Sequence, residues 1–274
     1  MGKLDHKNKK ILFFDSGCGG LSICRDVMQL NPGLTPYYLF DHKYFPYSDK
    51  SDEFVIGRAC DLVGKINDAY GFDIIVIACN TVSTIALPDL RARISTPIVG
   101  VVPAIKPAAK ISKKKSICLL ATKGTINRTY ITGLIESFAW DCRVQKIGTT
   151  RLVEIGESKM RGERVDIDDI REVLEPYLSL DERERADVMV LGCTHFHNLR
   201  DEIQQAVGSS CVLVDSGEAI AKRVRSVLGG AGGKARPAGA EGGMAFFTGD
   251  LDYGEQMERV FREYGLRSIE KLRM

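Results

Sequence analysis

Two segments of the chain are near-copies of each other: DIIVIACNTVST at Asp73–Thr84 and DVMVLGCTHFHN at Asp187–Asn198. Each opens on an aspartate, runs through an apolar, β-rich stretch and ends in a cysteine followed by polar groups. Short apolar runs bounded by polar residues read as strands buried in a parallel sheet. The duplication constrains the chain more than any other feature. It calls for two similar units, with Cys79 and Cys193 at equivalent points in them.

The remaining sequence alternates apolar runs with helical spacing. KILFFD reads as a buried strand ending at Asp15, LSICRDVMQL as a helix stopped by Asn31, Pro32 and Gly33, and PYYLFD as a second strand. After the loop FPYSDKS, Ser51 starts a long amphipathic helix closed at Gly71. The strand Ile74–Ala78 then leads to Cys79 and to the helix TVSTIALPDLRARI. TPIVGVVPAIKPAA reads as a strand entering a crossover and marks the first domain boundary. Beyond it, SICLLATKGT is a strand and polar loop, INRTYITGLIESFAW its helix, and Thr150–Leu180 a mostly helical, charged segment. The Cys193 strand follows, then a helix near Asn198–Val207 and the stretch CVLVDSGEAIAKRV, whose LVDSG echoes the earlier FFDSG as two similar halves would. Gly229–Gly243 is a low-complexity connector, and MAFFTGD with YGEQMERVFREYG adds a final strand and helix. This alternation predicts an α/β protein with mainly parallel sheets, whose ligands bind outside the carboxyl ends of the strands. Asp15, Asp41, Cys79, Thr122 and Cys193 all fall at predicted strand ends, a placement that suits one cleft.

Composition narrows the classes of function. At 274 residues, 44% hydrophobic and 27% charged, the chain fits one large or two ordinary soluble domains. A net charge of +2 supplies no basic field for nucleic acid, and the run Lys113–Lys115 reads as a solvated turn. The start MGKLDHKNKK lacks the apolar core of a signal peptide, and His6 stands where a myristoylation signal at Gly2 would need Ser or Thr. No apolar run approaches the ~18 residues of a membrane span. A cytoplasmic protein with no membrane association is expected. Eight cysteines in such a chain argue against a disulfide framework. Cys18, Cys24, Cys60, Cys118, Cys142 and Cys211 read as small core or surface residues, and only Cys79 and Cys193 share a repeated context.

Two thiols facing each other across a cleft suit the removal of a proton from one face of a carbon and its return to the other. A thiol titrates at about 8.5 in model peptides, and a helix N-terminus or nearby cation lowers that value. Both cysteines precede expected helix starts, with Asn80 or Thr81 as a cap for one and Thr194 for the other. Free N–H groups there would also bind a carboxylate. Competing readings exist. Cys193, His195 and His197 alternate, so on an extended segment they would share a face and suit zinc, but without the two-and-two ligand spacing. A Cys–His hydrolase would use His195 to activate Cys193 and leaves Cys79 unexplained. FFDSGCGGLS imitates a dinucleotide fingerprint, but Ser22 takes the place of the third glycine and Asp15 would face the pyrophosphate.

At FDSGCGG, FPYS, ACNT and GCTHF the sequence resembles the glutamate racemases of the cofactor-independent aspartate/glutamate racemase superfamily. The likeness runs from about Ile11 to Ser226 and includes GVVPAIKPAA, LLATKGT and LVDSG. It implies two pseudo-symmetric α/β domains with the active site in the cleft between them: a discontinuous first domain of residues 1–98 and 212–274, and a second of 99–211. The implied activity is interconversion of L- and D-glutamate by a two-cysteine, two-base mechanism, without pyridoxal phosphate or metal, to supply D-glutamate for peptidoglycan. Cys79 and Cys193 match the acid/base pair, Asp15 the acid that assists the first thiol, and His195 the group that assists the second. Ser16, Asn80, Thr81 and Thr194 match residues that hold the substrate's amino and carboxylate groups, and Tyr47 with Ser48 matches the substrate-binding Tyr-Gly pair. Thr122, Thr125 and Glu154 lie in segments that border the family's site. Ser48 departs from the usual glycine, His197 from a common proline and Cys18 from an aliphatic residue. The resemblance also implies activation by a UDP-N-acetylmuramoyl peptidoglycan precursor in one subgroup, and a monomer or homodimer.

Overall fold

The structure, a computed structural model, describes residues 9–229, 242–251 and 254–272. The polar N-terminal stretch before residue 9 and residues 230–241 of the expected connector lie outside them. In chain order the first elements are β1 (Lys10–Asp15), α1 (Leu21–Leu30), β2 (Thr35–Phe40), α2 (Asp52–Tyr70), β3 (Ile74–Ile77), α3 (Asn80–Ile85), α4 (Leu87–Arg93) and β4 (Ile98–Gly100). The middle of the chain supplies α5 (Ile105–Ile111), β5 (Ser116–Ala121), α6 (Lys123–Ile126), α7 (Thr129–Phe138), β6 (Arg143–Gly148), α8 (Arg151–Met160), α9 (Ile167–Val173), α10 (Glu175–Leu178), β7 (Val188–Leu191), α11 (Thr194–Asn198), α12 (Arg200–Val207) and β8 (Val212–Val214). The last elements are α13 (Gly217–Val227), β9 (Gly243–Phe247), α14 (Gly254–Glu263) and β10 (Leu266–Lys271).

Local chemistry explains many of these bounds. The Ser51 side chain caps α2 by accepting the Phe54 N–H at 3.3 Å, and Gly71 ends that helix at φ +59°, a conformation that disfavours a side chain. The single helix expected over TVSTIALPDLRARI is two, α3 and α4, joined at Ala86. Pro88 lacks the N–H that would continue the ladder but fits the first turn of α4. The aspartates that open the two near-copies act alike. Asp73 accepts the Lys10 N–H at 2.8 Å, and Asp187 accepts those of Lys113 and Lys114 at 2.7 and 3.0 Å. Each ties the start of its strand to the neighbouring segment.

The chain forms two compact units, one from the residues up to Val101 and from Gly217 onward, the other Val102–Ser216. The first holds a six-stranded sheet in the order β10-β9-β2-β1-β3-β4, the second a four-stranded sheet in the order β6-β5-β7-β8. Every strand pair in both is parallel. Strands β3, β5 and β7 are buried along their whole length, as parallel strands covered on both faces must be. Leaving β9 and β10 aside, both sheets run second-first-third-fourth in chain order, and each cysteine follows the third strand.

This topology corrects three expectations. Strand β4 pairs with β3, so residues 99–101 belong to the first unit rather than the second, and strand β8 pairs with β7, so residues 212–216 belong to the second rather than the first. The chain re-enters the first unit at α13, which packs on α1 where Asn31 Nδ2 donates to the carbonyls of Val27 and Ala221 at 2.9 and 3.2 Å. The echo of FFDSG in LVDSG does not mark equivalent points, because the first ends the first strand of its sheet and the second ends the fourth. Strands β6 and β10 carry no continuous apolar signature, because both lie at sheet edges and expose polar side chains.

The C-terminal segment is built into the first sheet at close range. A Cβ at Gly243 would lie 1.6 Å from the Pro36 carbonyl oxygen, and both are backbone sites that cannot swing away. Gly243→Ala is therefore expected to destabilise the protein by about 3 kcal/mol or more, read as a lower urea midpoint at unchanged slope. A wild-type midpoint would contradict this packing.

Candidate active site

In each sheet the first and third strands are neighbours whose connections leave in opposite directions, so a crevice opens at their carboxyl ends. In the first unit these are β1 and β3, which deliver Asp15–Ser16 and Cys79; in the second they are β5 and β7, which deliver Thr122 and Cys193. Gly192 brings the second pair close, since its N–H donates to the Leu120 carbonyl at 2.7 Å and a Cβ there would sit 3.1 Å from the Ala121 methyl.

Around Cys79 the contacts are short and buried. Ser16 Oγ lies 3.8 Å from Cys79 Sγ. Asp15 Oδ1 accepts the Ser16 N–H at 2.7 Å and its hydroxyl at 3.5 Å, so the acid reaches the thiol through Ser16. Asp15, Ser16 and Cys79 are each at most 5% exposed. Gly20 leaves room for the acid, since a Cβ there would stand 2.7 Å from Asp15 Oδ2 and 2.8 Å from the Tyr38 hydroxyl. Asn80 is buried, and among the described residues neither its amide nitrogen nor its oxygen has a hydrogen-bond partner. Buried amides are normally satisfied, so this one fits a ligand with both an acceptor and a donor.

Around Cys193 the partners differ. His195 Nδ1 lies 3.9 Å from Cys193 Sγ, and its Nε2 meets Glu157 Oε1 at 3.0 Å. His195 and Glu157 are 2% and 3% exposed. Burial alone would push the imidazole pKa down. The contact with Cys193 and the hydrogen bond and charge of Glu157 outweigh it, and the pKa lies well above its ordinary value. The arrangement places a cation-forming group next to a thiol and an acid behind that group.

Other expected residues are placed less directly. Cys79 and Cys193 themselves occupy the cap positions of α3 and α11, so Asn80, Thr81 and Thr194 are inside those helices rather than capping them. Thr81 and Thr194 are buried beside the cysteines in sequence. Tyr47 is buried in the apolar cluster that includes Cys79, but its hydroxyl donates to Asp41 at 2.6 Å. The Ser48 hydroxyl donates to Asp49 at 3.1 Å. Thr122 caps α6, accepting the Thr125 N–H at 3.2 Å and donating its hydroxyl to that of Thr125 at 2.9 Å, so both have a structural account. Glu154 does not face the site: it is exposed and pairs with Arg151 at 3.3 Å. The extended segment that would have aligned three zinc ligands is α11, and His197 Nε2 faces the Leu191 carbonyl at 3.3 Å instead. Among the described residues no three His, Cys, Asp or Glu side chains are arranged so that they could hold a metal ion.

Glu157 is the residue that sequence reasoning missed. It lies one helical turn beyond Glu154 and is buried with Leu152, Val153, Gly156 and Met160, whereas Glu154 falls outside that face and is exposed. That periodicity was available in the sequence. Gly156 completes the fit, since a Cβ there would come within 3.0 Å of His195 Cβ.

The His195–Glu157 pair carries a pH signature. Because the folded pKa is raised, its contribution to stability is complete below the unfolded value of about 6.5 and is lost as pH rises through the folded value. An NMR titration of the His195 ring should give a midpoint above that value in the wild type. Glu157→Gln should bring it down; a midpoint unchanged by Glu157→Gln would contradict the assignment.

A family model described as Asp/Glu/Hydantoin racemase matches residues 19–224. The chain is 50% identical to the glutamate racemase of Histophilus somni (strain 129Pt) over 220 residues, 80% of this chain and 81% of the relative. It is 43% identical to the glutamate racemase of Pasteurella multocida (strain Pm70) over 264 residues, 96% of each chain. Its fold is similar to the crystal structure of Escherichia coli glutamate racemase in complex with L-glutamate and the activator UDP-MurNAc-Ala, with a TM-score of 0.90, 40% identity, and coverage of 97% of this chain and 98% of that one. The matched span takes in both cysteine-bearing strands and the Glu157–His195 pair, and the chain belongs to the Asp/Glu/hydantoin racemase family.

Proposed function

We propose that the chain interconverts L- and D-glutamate without a cofactor, using Cys79 and Cys193 as two bases that serve opposite faces of the α-carbon. The observation that carries this reading is the matched placement of the two thiols. Each follows the third strand of a sheet with the same order, and each has its own acid/base support: Asp15 through Ser16 on one side, His195 with Glu157 on the other. A hydrolase would use only the Glu157–His195–Cys193 set and leave Cys79 idle.

In one direction the Cys79 thiolate takes the α-proton to become a thiol, and the Cys193 thiol delivers its own proton to the opposite face and becomes the thiolate. In the other direction the roles exchange. A C–H next to a carboxylate is weakly acidic, so placement and preorganised polar groups must stabilise the charge that moves onto the substrate carboxylate. Asn80 directly follows Cys79 and supplies a buried amide that lacks a partner among the described residues; Thr81 comes next, and Thr194 directly follows Cys193. His195 Nδ1 stands beside the Cys193 sulfur as that residue takes up or gives its proton, and Asp15 acts on Cys79 through the Ser16 hydroxyl.

The relatives support glutamate as substrate, and with it a place in D-glutamate supply for peptidoglycan in the cytoplasm. The activator in the Escherichia coli structure supports response to a UDP-N-acetylmuramoyl precursor as well. Circular dichroism assays in both directions, with and without UDP-MurNAc-L-alanine and with L-aspartate in parallel, test these points. Cys79→Ala and Cys193→Ala should each lower glutamate racemisation by at least about a thousandfold in both directions. Retention of a tenth of wild-type activity by either variant, or faster turnover of aspartate than of glutamate, would overturn the reading.

A further inference from the structure

A second buried charge cluster lies one step behind Cys79. Asp41 follows β2, is fully buried, and receives Arg58 Nε at 2.9 Å and Nη2 at 2.8 Å. The Tyr47 hydroxyl donates to its Oδ2 at 2.6 Å, and the Thr248 hydroxyl donates to its Oδ1. Burial opposes the Asp41 charge, but the bonds from Arg58, Thr248 and Tyr47 prevail and hold its pKa below the ordinary carboxylate value. Thr248 is the first residue beyond β9; its hydroxyl also accepts the Lys43 N–H at 3.3 Å, and its own N–H donates to the Phe40 carbonyl at 3.3 Å. Arg58 in turn stacks 5.0 Å from the Tyr44 ring centre.

These contacts converge on the segment between β2 and α2, which carries Tyr47 and Ser48. That segment has two short 3₁₀ turns, His42–Tyr44 and Tyr47–Asp49, and no strand or long helix of its own to fix it. The Tyr47 hydroxyl is committed to Asp41, so the orientation of its ring is set from behind while the ring packs on Phe14, 6.5 Å between centres, within the cluster that contains Cys79. Thr248 lies outside the matched span of residues 19–224.

We propose that Thr248 and Arg58 are positioning residues for the glutamate site: acting through Asp41, they hold the Tyr47–Ser48 turn beside Cys79, so that the C-terminal segment of the chain tunes substrate affinity. The proposal rests on the racemase reading for its functional consequence, and on the Asp41 cluster alone for its structural one. Thr248→Val is nearly isosteric and removes the hydroxyl; Thr248→Ser keeps it. Arg58→Lys keeps the charge but not the two-pronged geometry.

The test measures three quantities on the full chain for each variant: amide hydrogen exchange over residues 42–51, melting temperature, and KM and kcat for both glutamate enantiomers. Thr248→Val should speed exchange in that segment by about tenfold and raise KM by about fivefold to tenfold while kcat stays within about threefold. Thr248→Ser should restore wild-type values, and Arg58→Lys should move the same two readouts as Thr248→Val. Unchanged exchange in Thr248→Val overturns the proposal whether or not the protein turns over glutamate. A loss of kcat or melting temperature without segment-selective exchange overturns it too, because that pattern belongs to a general stabilising role. If wild type shows no glutamate turnover, the racemase reading fails on its own account, and the exchange result still decides whether Thr248 and Arg58 hold the turn.

Discussion

A parallel strand with neighbours on both sides and helices over both faces has no place for an ionisable side chain until its hydrogen-bond ladder ends. Strands β3 and β7 are of this kind, with all four residues of each buried. The first chemically useful residues along each are those just past its carboxyl end, and there the chain places Cys79 and Cys193. The neighbouring first strands obey the same rule and end at Asp15 and beside Thr122. The location of the candidate residues follows from the burial of the sheets.

The repeat is symmetric in backbone order and asymmetric in chemistry. The Cys79 side offers a carboxylate relayed through a hydroxyl, whereas the Cys193 side offers an imidazole backed by a carboxylate. An imidazole with a raised pKa can stand beside a thiolate as a cation; a carboxylate cannot. The two halves therefore support their thiols by different chemistry. The first unit also has what the second lacks among the described residues: two further strands, β9 and β10, added beyond the shared four-strand order. Their addition brings Thr248 to Asp41 and couples the end of the chain to the Tyr47 turn.

The sequence made the core of this arrangement legible because burial writes itself as uninterrupted apolar runs. Strands β1, β3, β5 and β7 and helices α1 and α2 are visible that way, as are both cysteines through their repeated setting. Edge strands escape, since the exposed Arg143, Lys146, Glu270 and Lys271 break the pattern. Two carboxylates one turn apart on α8 are hard to tell apart in the sequence by residue type, and only burial separates Glu157, which meets His195, from Glu154, which is exposed and pairs with Arg151. The Asp41 cluster was beyond reach in sequence, because Thr248 lies 207 positions from Asp41 and no local spacing announces their meeting.

The central claim is that two different groups handle the proton on the two faces of one carbon, and deuterium tests it most directly. L-glutamate converted in D₂O and stopped after a small fraction of turnover should yield D-glutamate fully deuterated at the α-carbon, while the recovered L-glutamate keeps its protium. Running D-glutamate in the other direction should give the mirror result. Product that retains the substrate's α-protium, or deuterium that enters recovered substrate and product equally, would mean that one group serves both faces and would contradict the account.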